Sequence, residues 1–391
     1  MKLGDVLNGY TVVTKPTNAG GGKCMWAFAT RGGKDFFIKQ FLEPKWPTDS
    51  APGSAASKQR RRQDCLAFEK RHQHVMKRLK SDTVGAGNIV TAESFFREGA
   101  TYYKVTKRIN VSNLKGLGAL TPRQKAVVLR TLVLSLQQLH NIGVVHGDLK
   151  PDNVLVQKRP DRDLYTAKLI DFDDSYLTGQ PPARDTVAGD SLYFAPEWLS
   201  YIRNEDGADG KLLTTATDMF ALGIILHEYL AEKRPGFPDR YSSAGDAVKA
   251  GHRLTLSPLL HPEMARLILQ LVQVGPTARP ATQQVIESLD DDSVLASMAT
   301  DRRGPRFIAG LAPRGTGVPV VEAVPASDGT SRLSRVKISP GLGAGGGAAA
   351  STPEGAGAAD ATDAESRASR LRINLGTGAA PPKRDKPPPR D

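Results

Sequence analysis

His146-Gly147-Asp148-Leu149-Lys150-Pro151-Asp152-Asn153, followed by Leu169-Ile170-Asp171-Phe172-Asp173, decides how this chain is read. The first stretch sets a carboxylate, an ammonium and a carboxamide on one short loop, and the second adds another carboxylate on a later turn. Phosphoryl transfer from a nucleoside triphosphate calls for this set. One carboxylate orients the attacking hydroxyl and accepts its proton, and an ammonium meets the moving phosphoryl group. An amide and a second carboxylate hold the magnesium ions that bridge the phosphates.

This spacing resembles the catalytic loop and the magnesium loop of Hanks-type (eukaryotic-like) Ser/Thr protein kinases of bacterial style. The resemblance continues along the chain. Gly189-Asp190-Ser191-Leu192-Tyr193-Phe194-Ala195-Pro196-Glu197 resembles the family's peptide-binding segment. Asp218-Met219-Phe220-Ala221-Leu222-Gly223 resembles the helix whose aspartate braces the catalytic loop, and Pro276-Thr277-Ala278-Arg279-Pro280 the late arginine that pairs with a glutamate, here Glu197. It implies a two-lobed α+β fold: a kinase domain over 10–291, with a β-rich N-lobe over about 10–107 and a helical C-lobe over about 110–291. A short lead-in, 1–9, precedes it. It further implies catalytic residues Asp148 and Lys150, magnesium ligands Asn153 and Asp171, ATP and Mg as cofactors, protein substrates, and autophosphorylation.

The nucleotide side is sparser. Ala19-Gly20-Gly21-Gly22-Lys23-Cys24 lies between two predicted strands, where glycines let backbone amides approach phosphates. Two registers fit the family's glycine loop. One uses Gly20 and Gly22 and leaves Met25 in place of a third glycine. The other starts a residue earlier, with Cys24 there and Trp26 over the adenine. Phe36-Phe37-Ile38-Lys39 resembles the strand that carries the α/β-phosphate lysine, and Glu69 on the next helix is the expected partner of Lys39. Glu43 suits less well because it precedes that helix.

Three departures from the family pattern stand out. Gly147 replaces an arginine that pairs with loop phosphate, and Asp173 replaces a glycine. Asp190 replaces a threonine that contacts the base, with Ser191 as a candidate substitute. His146 reads as a packed structural histidine.

Apolar strands at Tyr10-Thr11-Val12-Val13, Met25-Trp26-Ala27-Phe28-Ala29, Asp35-Phe36-Phe37-Ile38-Lys39 and Tyr102-Tyr103-Lys104-Val105-Thr106 surround one helix over about 64–79, with Leu66, Val75, Met76 and Leu79 as its apolar positions. Residues 43–62, ending in Lys58-Gln59-Arg60-Arg61-Arg62, read as a flexible basic insertion, and from Pro122 onward the pattern turns helical. Beyond Asp292 the chain is rich in Ala, Gly, Pro and Ser, a composition that buries too little apolar surface to offset chain entropy. The expectation is a disordered tail over 292–391. Within it, Ser331-Arg332-Leu333-Ser334-Arg335-Val336-Lys337-Ile338 recurs as Ser366-Arg367-Ala368-Ser369-Arg370-Leu371-Arg372-Ile373. Such segments suit strand addition to a tail-binding protein partner.

The net charge is +12, from 53 Lys+Arg against 41 Asp+Glu. The basic residues are dispersed and no nucleic-acid motif appears, so no nucleic-acid partner is expected. Cys24 and Cys65 form neither a disulfide framework nor a metal pattern, and no apolar run is long enough to span a bilayer. A cytoplasmic protein with no membrane partner is the expectation. Two other readings share the core motifs: a small-molecule kinase of the aminoglycoside type, and an ATP-binding scaffold of low activity. The first type lacks an Ala-Pro-Glu segment, and the second requires a catalytic residue to be missing.

Overall fold

The computed structural model describes residues 1–19, 24–79, 88–112, 116–184 and 189–290. The expected glycine loop, Gly20-Gly21-Gly22, and the 292–391 tail with its two repeats lie outside the described residues.

The N-terminal part is a six-stranded antiparallel sheet. Its strands are β1 (Val6–Leu7), β2 (Tyr10–Val12), β3 (Cys24–Arg31), β4 (Lys34–Phe41), β5 (Ala92–Glu98) and β6 (Thr101–Lys107), in the order β1-β2-β3-β4-β6-β5. The aromatic and β-branched content of these segments favours a pleated, half-buried surface. β3 turns into β4 through Gly32-Gly33, both at positive φ, the geometry of a two-residue hairpin that follows the strand twist. Strand alternation sorts the side chains to two faces. Ala27, Ala29, Phe36, Ile38, Tyr103 and Val105 pack with the curled β1–β2 pair on one face. Cys24, Phe41 and Tyr102 form the other core with Cys65, Phe68 and Phe95.

Helix α1 (Ala55–Leu79) covers that second face. It starts earlier than expected and takes Arg60-Arg61-Arg62 into its first turns. Ser54 supplies the cap: its Oγ accepts the Ser57 N–H at 3.2 Å and its carbonyl the Lys58 N–H at 3.0 Å. Lys58 donates back to the Asp49 carbonyl, and Arg62 to the Asp49 carboxylate at 3.2 Å. These loop oxygens offset the cost of cations at a helix N-terminus. The buried positions are Cys65, His72, Val75 and Leu79, whereas Leu66 is 52% exposed.

The helical part is built on α2 (Pro122–Asn141). Thr121 caps it in a reciprocal box with Gln124, and Pro122 opens it. Leu129, Leu132, Val133, Leu136 and Leu139 form its fully buried stripe. Short strands β7 (Val144–Val145) and β10 (Tyr176–Leu177) pair with each other, as do β8 (Val154–Lys158) and β9 (Tyr165–Leu169). Helices α3 (Pro196–Ile202), α4 (Ala216–Ala231), α5 (Ala244–Lys249), α6 (Pro262–Leu271) and α7 (Thr282–Leu289) follow. α4 is apolar on all sides and buried from Thr217 to His227, as a helix in the middle of a core must be. This β-rich lobe followed by a helical lobe is the two-lobed protein-kinase arrangement.

Candidate active site

The 146–153 loop leaves β7 and ends in a 3-10 turn, Pro151–Asn153, before β8. Asp218, in the first turn of α4, holds its start. The Asp218 carboxylate accepts the His146 N–H at 2.8 Å and the Gly147 N–H at 3.1 Å, and lies 3.0 Å from His140 Nε2. His146 is fully buried, with Nε2 3.0 Å from the Ile170 carbonyl and its ring against Phe172. Gly147 has φ 80°, and a Cβ there would sit 2.5 Å from the Asp174 carbonyl oxygen. No side chain fits here without moving the next loop, so this close approach requires glycine at the place of the family's arginine.

Asp148 is buried, and each of its oxygens has defined partners. Oδ2 accepts from Lys150 Nζ at 2.8 Å and from Asn153 Nδ2 at 3.1 Å, and Oδ1 accepts the Asp190 N–H at 3.1 Å. Asn153 Nδ2 also donates to the Asp148 carbonyl at 2.7 Å. The contact a threonine would make is thus supplied by the main chain of Asp190, not by Ser191. The Asp190 carboxylate instead caps Leu192 N at 3.0 Å. Gly189 makes this approach possible: its φ is 135°, and a Cβ there would meet the Phe194 ring at 2.6 Å.

The segment after Asp190 is pinned from behind. Arg279 meets Glu197 through two bonds of 2.6 and 2.7 Å, the expected pair. Its other N–H groups donate to the carbonyls of Ala216 at 2.8 Å, Gln273 at 2.8 Å and Val274 at 3.1 Å. All five guanidinium donors are used, so the buried charge is fully solvated by protein. The Tyr193 hydroxyl donates to Glu228 at 2.6 Å.

Asp171 has φ 64°, a left-handed conformation that costs a non-glycine residue energy and is concentrated at functional sites. Its carboxylate lies 2.8 and 2.9 Å from Lys39 Nζ. Lys39 also donates to Asp173 Oδ2 at 2.8 Å. Burial alone would depress the Lys39 ammonium, but the charges of Asp171 and Asp173 more than offset it and hold the lysine above its ordinary value. Burial would likewise raise Asp173, yet Lys104 and Lys39 beside it keep it well below the usual carboxylate range.

The expected pairing of Lys39 with Glu69 is not made. Glu69 accepts from the Tyr102 hydroxyl at 2.6 Å and lies 3.9 Å from Arg97. The helix presents His72 toward Lys39's partners instead, 3.6 Å from Asp173. Sequence reading noted Asp173 as a departure but missed it as a partner of Lys39, and missed Lys104 and His72. A charge inside the apolar run Tyr102-Tyr103-Lys104-Val105 was the available signal, since a buried lysine needs a carboxylate.

Comparison with known proteins agrees with this geometry. The protein kinase domain family matches residues 55–289. The chain is 29% identical over 213 residues to a probable myosin light chain kinase of Dictyostelium discoideum, covering 51% of this chain and 64% of that protein. It is 29% identical over 218 residues to the serine/threonine-protein kinase PknA of Mycobacterium tuberculosis, covering 54% and 46%. It is 27% identical over 220 residues to a CBL-interacting protein kinase of Oryza sativa, covering 56% and 39%. The chain spans less than two thirds of the length of each of these relatives. It belongs to the protein kinase family. No helix among the described residues is long and apolar enough to cross a membrane.

Proposed function

We propose that this chain transfers the terminal phosphoryl group of Mg-ATP to Ser/Thr hydroxyls of proteins, its own included. The observation that carries the reading is the state of Asp148. Its carboxylate is oriented by the Asn153 amide and the Asp190 N–H, and balanced by Lys150 at 2.8 Å. A carboxylate so fixed is suited to orient a substrate hydroxyl and take its proton as the phosphoryl group transfers. Lys150 can share its charge with the incoming phosphoryl oxygens.

The residues present fit magnesium. Asn153 uses its Nδ2 on Asp148, which leaves its amide oxygen for a cation. With the Asp171 carboxylate this makes a hard-oxygen pair of the kind magnesium takes together with phosphates and water. When bound, the ion would neutralise phosphate charge. Lys39 would meet the α- and β-phosphates, exchanging its bond to Asp171 for one to the nucleotide. Gly20, Gly21 and Gly22 would cover the phosphates with backbone amides. The buried Glu197–Arg279 pair supports a protein substrate, because it braces the peptide-binding segment that small-molecule kinases of the aminoglycoside type lack.

The test is phosphate transfer from labelled ATP to a generic basic protein and, in parallel, to an aminoglycoside. Protein should be labelled, and Asp148→Asn should lower the rate on the order of a thousandfold while leaving the fold intact. Labelling of the aminoglycoside alone would move the assignment to the small-molecule class.

A further inference from the structure

Lys39 and Lys104 stand directly opposite each other on β4 and β6. Side chains so placed are close neighbours on one sheet face, and like charges there repel. Both lysines are buried, so water cannot screen them. Asp173 resolves the conflict. Its Oδ2 lies 2.8 Å from Lys39 Nζ and its Oδ1 lies 2.7 Å from Lys104 Nζ. His72 Nε2 closes the third side at 3.6 Å. Glu69 takes no part in this cluster, being bonded to Tyr102.

We propose that Asp173 is the positioning residue that anchors Lys39 for the nucleotide phosphates, in the place where the family resemblance puts a glutamate of helix α1. The proposal rests on the reading of Lys39 as the phosphate lysine. Its mechanical content is that the anchor belongs to the same loop as Asp171. That loop is in turn joined to the catalytic loop, because Ser175 Oγ donates to the His146 carbonyl at 2.9 Å and Gly147 packs on Asp174. When nucleotide takes Lys39 from Asp171, Asp173 still fixes the ammonium, with Lys104 holding Asp173 from the far side. A displacement of α1 therefore leaves the phosphate lysine in place. Control by swinging this helix, which acts by making and breaking a lysine–glutamate pair, has no pair to act on here.

The test uses the full chain and reads kcat and the KM for ATP, with melting temperature as a check on folding. Wild type must transfer phosphate and Asp148→Asn must not; a silent wild type overturns the functional reading and this inference together, before any further variant is made. Given an active wild type, Glu69→Gln should keep kcat within about twofold, since its partner is Tyr102. Asp173→Gly should lower kcat about a hundredfold, the scale expected when a charged group loses its fixed orientation. Because two buried lysines would then face each other, Lys104→Met is added to relieve the repulsion; the double variant should fold and remain slow. Adding His72→Glu to that double variant puts a carboxylate on α1 beside the cluster and should recover at least about tenfold of the lost rate. A merely structural Asp173 predicts no such rescue. A near-normal rate in Asp173→Gly, a large loss in Glu69→Gln, or failure of His72→Glu to rescue the folded double variant each overturns the proposal.

Discussion

Arg279 in the helical lobe and Lys39 in the sheet lobe are both buried cations, and they are held in different ways. Arg279 spends all five donors on one carboxylate and three carbonyls, in the fixed fork that a guanidinium imposes. Nothing remains to bind a ligand, so the group is a rivet. Lys39 is a compact ammonium between two carboxylates of one loop. One of those, Asp171, is the proposed magnesium ligand, and on that reading its bond to Lys39 would be exchanged for one to phosphate. A closed guanidinium makes a scaffold, and an ammonium shared between carboxylates makes a site.

Breaking the rivet should give the largest effect on stability. Arg279→Ala leaves Glu197 buried without its partner, and urea unfolding should show a loss of about 3–5 kcal/mol. A loss below about 1 kcal/mol would mean the Glu197 charge finds water, and the contrast with Lys39 would disappear. Next is Gly147→Arg, which restores the family's residue at a position with φ 80° and a carbonyl 2.5 Å from the new Cβ. Strain of this kind costs about 1–3 kcal/mol, and phosphoryl transfer should fall because the 146–153 and 171–175 loops must separate. A stable and fully active Gly147→Arg variant would show that these loops yield easily. Tyr102→Phe removes the hydroxyl that holds Glu69. Its cost should be about 1 kcal/mol in the same unfolding assay, with ATP kinetics unchanged; a raised KM for ATP would tie Glu69 to the site after all.

The smallest effect concerns acid. Partial burial pushes the Asp246 carboxyl up, but hydrogen bonds from Arg203, Ser242 and Ser243 and the Arg203 charge leave it below its ordinary value. A carboxylate lowered on folding adds stability above its unfolded pKa of about 3.9, and that share is lost as pH falls through the folded value. Asp246→Asn should therefore flatten the acid limb of the stability curve below about pH 4 and leave the shape unchanged near neutrality. An unchanged acid limb would assign the acid sensitivity to other carboxylates.

The helical lobe was legible because its functional residues sit in short, self-contained segments. The brace from Asp218 to the 146–153 loop and the meeting of Glu197 with Arg279 were both implied by short segments that resemble the family's. The sheet lobe was legible strand by strand but not in its cross-links. Reading α1 from Leu66, Val75, Met76 and Leu79 selects the wrong stripe near the N-terminal end, since Cys65 and His72 are buried and Leu66 is exposed. Small and polar residues carry that face, and apolar periodicity does not register them. The same blindness hid the start of the helix, where Ser54 caps a basic stretch that composition marks as loop. Asp173 was visible as an odd residue, but its two lysine partners are distant in sequence and only the β4–β6 register brings them together.

Asp190 offers its backbone, not its side chain, to Asp148. A peptide N–H is present in every residue except proline, so this contact to Asp148 is written into the path of the chain and not into the identity of residue 190. The donor to Asp148 does not depend on the side chain at 190, although the Asp190 carboxylate also caps Leu192 N and steadies the turn that follows. Proline is the one replacement that this arrangement forbids outright.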